Sequence, residues 1–210
     1  METIMIYDEP FISGEMKKTG LDILLKEIIN PFSDELNKIN RDFYNYESNP
    51  GGDVFTIIER TWLGIFNNAL IKFYGDDITT LQEFTIWDNN RATGRLDFLL
   101  RWNETNILIE GKNYEYKKNA WEKWDDEVFY DVIAEKVNKK YFGPEKDLYS
   151  GKTFGMILCF DWIRKGNLNE AIHSFESLKM ENGKTDFCVL FKNNIQGVLV
   201  YGHVFKLNDN

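Results

Sequence analysis

The chain is short of the residues that lock small or metal-built folds together. It has two cysteines, Cys159 and Cys188, both in apolar runs, which points to buried thiols and away from a disulfide framework. Its two histidines, His173 and His203, lie far apart without metal-ligand spacing, so structural roles are expected for both. No G-x-S-x-G is present, which excludes a nucleophile elbow. Ser150-Gly151-Lys152-Thr153 looks like the end of a phosphate-binding loop. The leading glycine position is Lys146, however, and the segment runs into a strand instead of opening a helix, so that motif is excluded. No apolar stretch approaches the roughly 20 residues that span a bilayer. The first residues carry no basic region ahead of an apolar core, so no signal peptide is expected and the expected location is the cytoplasm.

Bases are scarce too. Against 34 acidic residues stand 25 Lys and Arg, a net charge of −9 and a pI near 4.9. Proteins that track phosphate usually show the opposite balance. The excess is local: residues 1–60 hold 12 acids and 6 bases and residues 61–111 hold 7 and 4, whereas the remaining chain is balanced. An anionic partner would therefore approach away from the N-terminal half, or through bound cations. What is present, 43% hydrophobic residues in a chain of 210, suffices for a core without disulfides or structural metal.

The spacing predicts a helix from Gly20 to Asn30 stopped by Pro31, and a second begun by Ser33 with Leu36, Ile39 and Phe43 on one face. Asn49-Pro50-Gly51-Gly52 punctuates the chain, and Asp53 caps a long helix ending at Gly75. The period then changes from 3.6 to 2. Strands are predicted at Glu83–Asp88, Arg95–Trp102 and Asn106–Asn113, with turns at Asn89–Gly94 and at Asn103–Thr105, whose sequon-like sequence is read as a turn. A helix-prone stretch, Ala120–Tyr141, precedes a nearly continuous apolar strand, Thr153–Trp162. A short helix, Asn169–Met180, and strands Asp186–Lys192 and Gly197–Lys206 follow. The expected fold is α/β, a mixed central sheet containing a three-stranded antiparallel meander and flanked by helices. Residues 1–50 are read as an N-terminal helical extension and 51–210 as the core.

One stretch carries a chemical pattern. Glu110-Gly111-Lys112 follows the apolar run Ile107-Leu108-Ile109, so Glu110 and Lys112 share a strand face with Cα atoms about 7 Å apart. Gly111 leaves its carbonyl approachable. The turn at Asn103–Thr105 would set Asp97 across from Glu110. Two carboxylates at close range raise one another's pKa, and a divalent cation resolves the conflict. Hard oxygen donors with room for water suit Mg²⁺. Lys112 then stands where it could orient a water or offset charge on a phosphate. Glu59 interrupts a helical stripe of Phe55, Trp62, Leu63 and Phe66. It needs either a metal site beneath the helix or a basic partner such as Arg60 or Arg95, and both readings stay open.

These residues, in this order, resemble the PD-(D/E)XK nuclease superfamily over roughly residues 53–162. The resemblance implies a restriction-endonuclease-like core, αβββαβ. It makes Asp97, Glu110, the Gly111 carbonyl and Glu59 the ligands of Mg²⁺ or Mn²⁺, and Lys112 the group that positions the attacking water. It implies hydrolysis of phosphodiesters, in DNA before RNA, for restriction, defence or repair in a prokaryote or phage, and it allows a homodimer. Family members often carry Gln or Lys on the helix after the third strand. Here Lys118, Lys123, Lys136, Lys139, Lys140 and Tyr141 fall there, beside acidic Asp125-Asp126-Glu127. Trp121 and Trp124 form a base-stacking pair or a packing pair, and Arg91 and Arg95 are phosphate contacts or plain surface charges. Two other classes are weighed against the enzyme: a non-cutting nucleic-acid- or protein-binding member of the fold, and an acidic interaction or immunity-type protein facing a basic partner.

Overall fold

The computed structural model describes residues 6–43, 59–88, 91–115, 152–163, 166–180, 185–193 and 197–206. Two short strands come first, β1 (Ile6–Tyr7) and β2 (Phe11–Ile12), followed by helices α1 (Gly14–Thr19), α2 (Leu21–Phe43) and α3 (Glu59–Tyr74). Strands β3 (Ile78–Asp88), β4 (Arg91–Trp102) and β5 (Thr105–Glu115) form the antiparallel meander. Strand β6 (Lys152–Ile163), helix α4 (Leu168–Met180), and strands β7 (Phe187–Lys192) and β8 (Gly197–Lys206) complete the described chain. All eight strands join one open mixed sheet in the order β1-β7-β8-β6-β5-β4-β3, with β2 also on β7. Among the described strands only β5 and β6 run parallel, and the other pairs are antiparallel. Strand β6 lies inside the sheet with Met156–Asp161 buried on both faces, as its continuous apolar run requires.

Alternation divides the sheet between two cores. One face presents Phe98, Leu100, Ile107, Ile109, Met156, Leu158 and Phe160 to the helices α1, α2 and α3. Trp62 of α3 stacks on Phe160 with ring centroids 5.6 Å apart, and Phe66 meets Phe98 edge-on at 6.0 Å. The other face presents Ile157, Cys159, Leu199 and Tyr201, covered by Ala171 and Phe175 of α4. Both cysteines are buried, and neither is in a disulfide. Among the described residues no helix is long and apolar enough to cross a membrane.

Three expectations change. Pro31 does not stop a helix; it lies inside α2, and the two predicted N-terminal helices are one. An interior proline costs about 3 kcal/mol. The buried stripe Leu21, Leu24, Leu25, Ile28, Ile29, Phe32 and Leu36 continues through it, and burial of Phe32 and Leu36 offsets that cost. The first break falls instead at Gly20, whose left-handed φ of 81° ends α1. Strand β3 starts at Ile78, ahead of the expected Glu83, and β4 starts at Arg91 within the expected turn. Glu83, with φ 51°, and a register shift between Ile86 and Trp87 spoil the alternation that would have revealed them. Finally, the N-terminal segment is not helical alone: β1 and β2 extend the sheet, and α2 shares its main core. The predicted Asp53 cap and the Ala120–Tyr141 helix, with Trp121, Trp124 and the lysines around them, lie outside the described residues.

Candidate functional site

The meander opens where its chemistry-bearing residues stand. The β4–β5 ladder runs from Trp102↔Thr105 to Phe98↔Ile109. Beyond that pair β5 continues with β6 alone, through Glu115↔Trp162. At the fork, Asp97 Oδ2 accepts the Gly111 N–H at 2.9 Å, in place of a ladder bond. Lys112 folds back so that its Nζ donates to the Gly111 carbonyl at 2.7 Å. A buried glycine main chain is thus held between a carboxylate and an ammonium.

Glu110 and Lys112 share a sheet face because their side chains alternate with buried Ile109 and Gly111, and both are half-buried, as is Asp97. The structure therefore brings Asp97, Glu110, Gly111 and Lys112 together. Glu59 is the first described residue of α3, and its side chain lies outside the described residues. The body of α3, through Trp62 and Phe66, packs on the opposite sheet face, against Phe160 and Phe98.

Carboxylates and a main-chain carbonyl are hard-oxygen donors of the kind Mg²⁺ takes. Among the described residues there is no group of three or more His, Cys, Asp or Glu side chains that could hold a metal. No family model, curated protein or solved structure matches the chain.

Sequence reasoning passed over two buried aspartates. Asp161 follows the fork's face one strand away: Lys112 is the register partner of Cys159, two residues before it. It is 1% exposed and accepts from the Tyr201 hydroxyl at 3.1 Å and the Cys159 thiol at 3.7 Å. Burial pushes its carboxyl up to about 7, because these neutral donors only partly offset desolvation. Burial, and then the charge of Asp161, push the Cys159 thiol well up. An Asp amid the apolar run Gly155–Ile163 was the signal.

Asp186 sits just before β7. Its carboxylate accepts from Ser13 Oγ at 2.5 Å and the Val204 N–H at 3.0 Å, and pairs with His203 Nδ1 at 2.6 Å. Burial raises its pKa, but these hydrogen bonds and the charge of His203 outweigh that and hold it below the ordinary carboxylate value. Its own N–H donates to the Gly202 carbonyl at 2.9 Å. Gly202 is required beside it: a Cβ there would lie 2.7 Å from the Ile157 carbonyl oxygen.

Proposed function

We propose that this chain is a Mg²⁺-dependent nuclease that hydrolyses phosphodiesters, in DNA before RNA, with a restriction-endonuclease-like core inside the larger sheet. The observation that carries the reading is the fork between β4 and β5, where Asp97, Glu110 and Lys112 surround the Gly111 main chain. On this reading residues 51–210 supply the nuclease-like core, and the segment before them adds β1, β2, α1 and α2 to it.

Asp97, Glu110 and the Gly111 carbonyl would hold the cation; Glu59 would join them only by reaching past the sheet from α3 on its other face. When bound, the cation supplies Lewis acidity and neutralises charge on the phosphate. Lys112 releases the Gly111 carbonyl, positions the attacking water and offsets negative charge developing on the phosphoryl oxygens. Asp97 keeps β4 and β5 at a fixed separation through the Gly111 amide, so the site is assembled before substrate arrives.

The test is incubation with supercoiled plasmid, linear duplex and single-stranded DNA and RNA, in Mg²⁺, Mn²⁺ or EDTA. Metal-dependent cutting is expected, and Lys112→Ala should lower it by about a hundredfold or more with the thermal melt unchanged. Equal activity in the variant would remove Lys112 from the chemistry. The net charge of −9 favours a second reading, a non-cutting protein that binds a basic partner through its acidic N-terminal half. Absence of cutting under every condition, with Mg²⁺ silent in calorimetry, would move the balance to it.

A further inference from the structure

The β3–β4 hairpin is partly exposed on the side that carries Asp97, where Leu99 is buried. Along β4, residues 95, 97, 99 and 101 alternate with buried Leu96, Phe98 and Leu100, so Arg95 shares the side of Asp97, about 7 Å further along the strand. The Arg95 side chain is 63% exposed. Leu81, opposite Leu99, is 44% exposed, and Arg101 is exposed as well.

Arg95 is nevertheless placed. Its guanidinium reaches Glu83 Oε2 at 3.3 Å. Glu83 stands between the Gln82↔Phe98 and Phe84↔Leu96 pairs, hence opposite Asp97, and its φ of 51° is a strained conformation for a residue with a Cβ. A backbone outlier thus falls in the same cross-strand row as the candidate site, and its side chain is engaged with the arginine next to it.

A phosphodiester approaching Asp97 and Glu110 meets two carboxylates, on a segment (61–111) with 7 acids and 4 bases. It needs a nearby cation that can leave its present partner. An exposed ion pair is weak and easily exchanged. The planar fork of arginine fits two phosphate oxygens at once.

We propose that Arg95 binds the backbone phosphate adjoining the one held at Asp97 and Glu110, exchanging Glu83 for it. Glu83 keeps the guanidinium over the partly exposed face until nucleic acid arrives. This rests on the nuclease reading and names how the same site engages its substrate.

The test measures binding apart from cleavage. Fluorescence anisotropy with a fluorescein-labelled DNA duplex and its single strands is recorded in Mg²⁺ over a range of KCl, using the Lys112→Ala protein so that the probe stays intact. Adding Arg95→Ala should weaken binding about tenfold and lower the slope of log K against log salt by about one. Arg95→Lys should restore the slope but only part of the affinity. Glu83→Gln should tighten binding about twofold, and it guards against a folding defect in the Arg95 variants. In the protein with Lys112 intact, Arg95→Ala should raise KM more than it lowers kcat. An unchanged salt slope in Arg95→Ala, with cleavage by the parent protein intact, overturns the phosphate contact and leaves the nuclease reading standing. A parent protein that neither binds nor cuts any of these probes overturns both.

Discussion

Asp161 and Asp186 flank β8 with almost no exposed surface, Asp161 the more deeply enclosed of the two, and are driven in opposite directions. Desolvation is the largest influence on each, and on each it favours the neutral acid. Asp161 meets only a hydroxyl and a thiol, and its pKa stays near 7. Asp186 meets a hydroxyl, a main-chain amide and an imidazole that can carry charge, and its pKa falls below 3.8. The deeper enclosure of Asp161 and the richer, partly charged donor set of Asp186 act together to set the opposite signs.

The two therefore pull stability oppositely with pH. For Asp161 the folded pKa lies above the unfolded value, so its contribution is full below about pH 4 and is lost as pH rises towards 7. For Asp186 the folded pKa lies below the unfolded value, so its contribution is present above about pH 4 and is lost as pH falls.

The largest expected effect is Asp186→Ala. It strands His203, the Val204 amide and Ser13, and should cost about 3 kcal/mol or more in urea unfolding at neutral pH. A cost under about 1 kcal/mol would break the comparison, because the imidazole would then not be the partner that matters. Next comes Asp161→Asn, which keeps the shape and an acceptor for Tyr201. The parent protein should lose about 1.4 kcal/mol per pH unit between pH 4 and 7 on account of this group. Unfolding curves at several pH values should show that slope flattened in the variant; an unchanged slope assigns it elsewhere. Smallest is Ser13→Ala, which removes both the cap on the Met16 N–H and one donor to Asp186. It should cost about 1 kcal/mol by the same assay. A loss matching that of Asp186→Ala would mean that the cap, not the charge, anchors this corner.

Strands from β4 to β8 were legible over most of their length because each carries a run of buried residues long enough to display a period. Strands β1 and β2 were not, since two residues carry no period and their pairing with β7 is set by tertiary context. The single helix through Pro31 was hidden by a rule that is sound for isolated helices and yields to burial on both sides of the proline. Asp97, Glu110 and Lys112 could be placed from alternation and one turn. The fork could not: that β4 leaves β5 after Phe98 and that the Asp97 carboxylate takes the Gly111 amide depend on sheet geometry that no local pattern encodes. Asp161 was readable in principle, as a charge inside an apolar strand, whereas Asp186 stands at a strand end where aspartate is commonplace.

The pairing of β1 and β2 with β7 also fixes a timetable. Tyr7 registers with Phe191 and Phe11 with Cys188, so the earliest described residues take their places beside some of the latest. The meander can close through short turns while a chain is still being synthesised, but this edge waits until β7 has left the ribosome. Until then Phe11 and Ile12 have no strand to pair with, whereas α2 already has β4, β5 and β6 to cover. Among the described strands, the pairs that tie the N-terminal strands to β7 are the contacts of longest reach in the sheet.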